Sequence, residues 1–251
     1  MSDGFFVAEF PADVGPGETV RLTGAEAHHA AVVRRIRLGE VVTVTDGQGR
    51  GVAGPVVAVA PAEVVVAVER RLDQPSDPPG VTVVQALPKK DRADLAIDLM
   101  TEVGADRIVP WHAERCITRW SPDKAEAGQA KWATVARETS KQARRLRFPT
   151  IDPLATTDQV AALVCQAPLA LVMHERATDR LAAAILPPVD EILIVIGPEG
   201  GLSQAEVDRF QSAGAQTFSL GPTVLRTSTA GAVAIAQLRT VWLAARAQAD
   251  R

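Results

Sequence analysis

Five consecutive residues, Ile192-Leu193-Ile194-Val195-Ile196, are all large and apolar, and the run stops abruptly at Gly197-Pro198-Glu199-Gly200-Gly201. A strand that is hydrophobic on both faces needs cover on both sides, the condition met by a parallel sheet layered between helices. The neighbouring sequence alternates in keeping with that. It predicts strands over residues 81–87, 107–110, 169–173, 192–196 and 217–220. Helices are predicted over 91–103, within 122–147, and starting at 179, 203 and 229. This part of the chain is expected to be an α/β domain.

The first part follows a different period. Segments at 5–10, 19–22, 41–45, 52–59 and 64–68 read as short strands, with Val42 and Val44 alternating against threonines and Gly47-Gln48-Gly49 as a turn. One helix interrupts them, opened by Thr23-Gly24-Ala25-Glu26 in capping-box spacing and closing near Leu38-Gly39. Between the two parts, Asp73-Gln74-Pro75-Ser76-Asp77-Pro78-Pro79-Gly80 has linker composition. The expected organisation is a small β-rich domain, a barrel, over 1–72, a linker over 73–80 and an α/β domain over 81–251. No internal repeat is evident.

Composition removes several functional classes. No apolar run approaches the ~18 residues of a membrane span, and Met1-Ser2-Asp3-Gly4 lacks the basic start of a signal peptide, so the chain is expected in the cytoplasm with no membrane partner. The net charge of −3 argues against a uniformly basic nucleic-acid binder, and any such surface must be local. Cys116 and Cys165 fall in no metal spacing, and adjacent His28 and His29 would point about 100° apart on a helix, so no metal site and no disulfide are expected. Cys116 has no spacing that suggests thiol activation.

Three features carry chemistry. The loop Gly197-Pro198-Glu199-Gly200-Gly201-Leu202 lies between a buried strand and a helix opened by Ser203 and Glu206. It is either a tight structural turn or a place where backbone approaches a ligand closely. Leu220-Gly221-Pro222-Thr223-Val224-Leu225-Arg226-Thr227-Ser228-Thr229-Ala230-Gly231 puts one arginine between a strand and a nearly all-apolar helix. Arg226 is then either paired structurally or aimed at a ligand, because an uncompensated buried charge is costly. In the long helix Trp132, Val135, Ala136, Thr139, Ala143 and Leu146 define the buried stripe, leaving Arg137, Lys141, Arg144 and Arg145 opposite it. With Arg34, Arg35 and Arg37, and with Lys89, Lys90 and Arg92, they form three basic clusters suited to RNA or DNA.

Taken together, Gly197-Pro198-Glu199-Gly200-Gly201, the segment Leu220–Ala230, and Glu138-x-x-x-Gln142-x-x-Arg145-x-x-x-Pro149 resemble the RsmE family of SPOUT methyltransferases. The resemblance covers almost the whole chain. It departs at Ser228, where the family commonly has glutamate.

The resemblance implies S-adenosyl-L-methionine as cofactor and N3 of a uridine in 16S ribosomal RNA, within the small ribosomal subunit, as methyl acceptor. It further implies a PUA-like amino-terminal barrel, an α/β domain threaded into a trefoil knot, and a homodimer with cofactor pockets near the interface. Pattern alone would argue against a knot. Three loops are implied to hold the cofactor: Leu171, Met173 and His174; Ile196, Gly197, Pro198, Glu199, Gly200 and Gly201; and Leu220, Gly221, Leu225, Arg226, Thr229 and Ala230. Arg226 is expected to hold a uracil carbonyl or an adjacent phosphate, with Glu138, Gln142 and Arg145 orienting the nucleotide across the dimer interface. Arg34, Arg35, Arg37, Lys89, Lys90, Arg92, Lys141 and Arg144 are expected to contact RNA. Two rivals are a non-catalytic RNA-binding protein of the ribosome-assembly type and a nicotinamide-dependent oxidoreductase. The second lacks a G-x-G-x-x-G after residues 81–87.

Overall fold

The computed structural model describes residues 4–75 and 78–249; the side chains of residues 90, 91 and 247–249 lie outside that description. Two residues of the expected linker, 76 and 77, fall outside it as well. The chain separates into two compact units, Met1–Ser76 with Ser140–Phe148, and Asp77–Thr139 with Pro149–Arg251.

The first unit is built from β1 (Gly4–Val7), β2 (Thr19–Thr23), the single helical turn α1 (Gly24–His28), β3 (Val41–Thr45), β4 (Arg50–Ala60), β5 (Glu63–Ala67) and β6 (Arg70–Asp73). Strand order is β1-β3-β4-β5-β2, with β6 on β4. The period-2 reading holds: Val42, Val44, Val64 and Val66 are fully buried with Phe6 and Leu22, while Val41 is exposed. The helix expected after Thr23 forms but stops at Val33 rather than near Leu38-Gly39. α1 passes into a π-helical turn over His29–Val33, and the Thr23 side chain makes no cap bond. The Glu26 carboxylate is drawn instead to the Val7 amide (3.3 Å) and the Lys141 ammonium (3.0 Å), tertiary partners that spacing along the chain cannot reveal.

Residues 140–148 join this unit through backbone bonds. The Leu146 carbonyl accepts from Thr45 Oγ1 and from the Gly49 amide, both at 2.9 Å, and the Phe148 amide donates to the Gly47 carbonyl at 2.9 Å.

The second unit contains β7 (Gly80–Ala86), α2 (Lys90–Glu102), β8 (Arg107–Trp111), α3 (Pro122–Gln142), β9 (Thr150–Ile151), α4 (Thr157–Gln166), β10 (Ala170–Met173), β11 (Glu191–Ile196), α5 (Gln204–Ser212), β12 (Gln216–Phe218) and α6 (Thr227–Ala249). The last residues of α3 cross into the first unit. The sheet runs β12-β10-β11-β7-β8-β9, and every pairing is parallel. From Ile192 to Ile196 no residue is more than 4% exposed, so β11 is covered on both faces as its composition requires.

Two local expectations fail, and one helix forms where none was expected. The segment from residue 179 holds only a 3-10 turn at Leu181–Ala183, because the Asp179 carbonyl, which would accept the first intrahelical bond, accepts from the Ser219 amide instead (2.8 Å) and Pro187-Pro188 follow. α3 lies within the expected 122–147 but stops at Gln142, so the expected stripe is buried at Trp132, Ala136 and Thr139 and not at Ala143, which is exposed. α4 was not anticipated, although Thr156 and Gln159 form a complete capping box at its start. Among the described residues no helix is long and apolar enough to cross a membrane.

Candidate active site

β10, β11 and β12 are neighbours in the sheet, and their registers pair Met173 with Ile196 and with Phe218. Their carboxyl ends therefore stand level, and the three loops that leave them meet, as ligand-binding loops do in open parallel sheets. They enclose a cavity of about 420 Å³ lined by Met173 to Glu175, Ile196 to Leu202, Ser219 to Thr227 and Ala230.

The glycine loop is shaped by its neighbours. A Cβ at Gly197 would stand 3.0 Å from the Leu202 side chain, one at Gly200 would stand 3.0 Å from Arg115 Cβ, and Gly201 is left-handed (φ 71°). Arg115 Nη1 donates to the carbonyls of Gly200 (3.3 Å) and Leu202 (3.2 Å). The buried Glu206 carboxylate accepts from the Ser203 amide (2.9 Å) and the Glu114 amide (2.8 Å), so it caps α5 and ties it to the 113–116 turn. From the central strand, buried Gln85 Nε2 donates to Thr227 Oγ1 (3.3 Å), which donates to the Gly197 carbonyl (2.5 Å). Gln85 and Thr227 thus link the second and third loops.

Glu206→Ala leaves the Ser203 and Glu114 amides without their acceptor. It is expected to lower stability by about 2 kcal/mol and to weaken cofactor binding, read by differential scanning calorimetry and isothermal titration. Unchanged melting would show that the carboxylate does not brace the loop.

All but two of the residues expected to hold a cofactor line this cavity: Met173, His174, Ile196, Gly197, Pro198, Glu199, Gly200, Gly201, Leu220, Gly221, Leu225, Arg226 and Ala230. The exceptions are Leu171, fully buried within β10, and Thr229, whose hydroxyl turns back to the Arg226 carbonyl (3.1 Å). Glu199 lines the cavity while its Oε1 accepts from the Lys89 amide (2.9 Å). Arg226 is exposed, so the burial that would have forced a choice between an internal partner and a ligand is not there; it lines the cavity and has no ion-pair partner among the described residues. Ser228 is 1% exposed and lies outside the lining.

Glu138, Gln142 and Arg145 do not line the cavity; Glu138 belongs to the second unit, and Gln142 and Arg145 to the first. Of the basic residues, Arg35, Arg37, Lys89 and Arg144 are exposed. Arg34 pairs with Glu40 at 3.0 Å, and Arg92 is half-buried. The Lys141 side chain, 10% exposed, is bound to Glu26 in a sequestered ion pair, which corrects its expected place at an RNA surface. The side chain of Lys90 lies outside the described residues. Burial pushes the Cys116 thiol up, away from the thiolate that a nucleophile needs.

Gln85, Arg115 and Glu206 were missed as parts of the site. Gln85 had left a signal, as the one amide in the apolar run 83–87, and Glu206 had been read only as a helix cap.

A family profile described as an RNA methyltransferase domain matches residues 75–239, and one described as an RNA methyltransferase PUA domain matches residues 22–52. The chain is 40% identical over 235 residues to the Ribosomal RNA small subunit methyltransferase E of Mycobacterium bovis, covering 92% of this chain and 88% of that one. It is 26% identical over 242 residues to the protein of the same name from Bacillus subtilis, covering 93% and 94%. Its fold is similar to the crystal structure of a Ribosomal RNA small subunit methyltransferase E from Neisseria gonorrhoeae bound to S-adenosyl methionine, with TM-score 0.84 and 26% identity over 96% of this chain and 98% of that one.

Proposed function

The chain belongs to the ribosomal RNA small subunit methyltransferase E family, and we propose from that premise that it methylates N3 of a uridine in 16S ribosomal RNA with S-adenosylmethionine. The observation that carries the reading is the convergence of three loops on one cavity that has the exposed Arg226 among its walls.

The residues present fit that cofactor. Met173, Ile196, Leu202 and Leu225 give apolar walls for an adenine and a thioether chain, and glycine backbone at 197, 200 and 201 permits close approach. The Glu175 carboxylate, 3.6 Å from where a Cβ on Gly201 would stand, suits the cationic end. When bound, the cofactor supplies a methyl group on a sulfonium.

N3 of uracil is itself the attacking atom, so no enzyme nucleophile is needed, in keeping with the raised thiol of Cys116. The chain must position the base, remove the N3 proton and stabilise negative charge on the flanking carbonyl oxygens. Arg226 takes the last role. Glu138, Gln142 and Arg145 orient the nucleotide from the partner protomer of a homodimer, and Glu138 or a water receives the proton. Arg34, Arg35, Arg37, Lys89, Lys90, Arg92 and Arg144 hold the RNA. The first unit, as a closed PUA-like barrel, supplies placement and affinity, and the second, as a knotted SPOUT domain, supplies the chemistry. The family resemblance supports these finer features. The cytoplasm, where ribosomal subunits assemble, is the expected location.

Incubation with methyl-labelled cofactor and small ribosomal subunits, followed by mass spectrometry of nuclease digests, is expected to place the label on N3 of one uridine. Label on any other atom, or no heat on titration with the cofactor, would end this reading.

A further inference from the structure

Among the described residues, only two non-glycine residues have a positive φ, and both are arginines of the first unit: Arg35 and Arg144, each at φ 54°. Arg144 closes α3: the Arg145 amide donates to the Ser140 carbonyl (2.9 Å) and the Arg144 amide to the Lys141 carbonyl (3.2 Å). A helix that ends this way ordinarily takes glycine at its left-handed residue, because a Cβ there costs stability. Neither Arg35 nor Arg144 has an ion-pair partner among the described residues, whereas their neighbours Arg34 and Lys141 are paired with Glu40 and Glu26. Two arginines therefore occupy positions that favour glycine, with no ion pair among the described residues to offset the cost.

Arg144 also lines a cavity of about 480 Å³ together with Phe5, Thr43, Arg71, Asp73 and Leu146. Phe5 and Leu146 are half-buried and give it an apolar wall, and Thr43 adds a hydroxyl. Arg71 Nη2 stands 3.6 Å from the Asp73 carboxylate, which offsets its charge and leaves Arg144 as the unpaired cation. The position of Arg144 is held by the Leu146 carbonyl, bonded to Thr45 at the end of β3 and to Gly49 in the turn before β4.

We propose that this cavity binds one unpaired nucleotide of the RNA substrate, its base against Phe5 and its phosphate on Arg144. An aromatic face beside a guanidinium is the complement of a base joined to a phosphate. The inference rests on the RNA-methylating reading above.

The test uses the full chain, a fluorescein-labelled single-stranded oligouridylate, anisotropy across a potassium chloride series, and calorimetric melting. Arg144→Gly should raise Tm by about 3 °C by relieving the left-handed backbone. The same variant should weaken RNA binding about tenfold and lower the salt slope by about one. Phe5→Leu should weaken binding about tenfold through lost stacking, with the slope kept. An Arg144→Gly variant of unchanged RNA affinity, or of lower Tm, overturns the subsite alone. An unaltered chain that ignores the oligonucleotide overturns the subsite; the RNA reading falls only if the same sample also fails to bind and methylate small ribosomal subunits, and titration with S-adenosylmethionine then tells whether the methyl-donor pocket stands.

Discussion

Arg226→Ala is expected to lower turnover about 10²–10³-fold while S-adenosylmethionine affinity stays within about twofold. The size follows from the role. Negative charge spreads to the uracil oxygens only as the N3 proton leaves, so a guanidinium aimed there acts on the transition state more than on the ground state. The side chain is exposed and has no ion-pair partner among the described residues, so its removal should not disturb the fold. The backbone of residue 226 would still accept from the Thr229 and Ala230 amides and hold the loop. Single-turnover rates beside isothermal titration separate the two effects. Near-normal turnover with intact cofactor affinity would remove Arg226 from the chemistry.

Gly54→Ala should lower stability by about 4 kcal/mol, a fall in Tm on the order of 10 °C, concentrated in the first unit. A Cβ at this position would stand 1.8 Å from the Ala67 carbonyl oxygen and 3.0 Å from the Glu69 amide nitrogen. Both are backbone atoms of adjoining chain, so no rotamer change makes room; β4 must shift against β5, just before the register irregularity at Val56 and Ala58. RNA affinity should fall with the first unit, while the three loops of the second keep their cofactor. Calorimetry with parallel cofactor and RNA titrations reads all three. A variant that melts with the parent would mean that the two strands do not approach as closely as described.

Much of the architecture was legible because it follows from burial alone. The run 192–196 required cover on both faces, and alternation at Val42 and Val44 required a half-buried strand; both are satisfied. The loops after residues 196 and 220 were legible because Gly197-Pro198 and Gly221-Pro222 end the strands before them. Failures came where a tertiary partner outbid a local preference. Glu26 had the spacing of a cap but is claimed by Val7 and Lys141, and Lys141 had the spacing of a solvated face but lies in an ion pair. The expected helix from residue 179 yields to the bond between the Ser219 amide and the Asp179 carbonyl.

Local composition and period, then, determined that the chain has a β-rich part and an α/β part, and that glycine-bearing loops follow buried strands. Only the tertiary structure decided that two of those loops share one cavity with the loop after Met173. That depends on β10 lying between β11 and β12 with their ends in register, and on Gln85, Arg115 and Glu206 reaching across from distant elements. Strand order and long-range hydrogen bonds join residues far apart along the chain, and a periodicity of two or 3.6 residues carries no record of them.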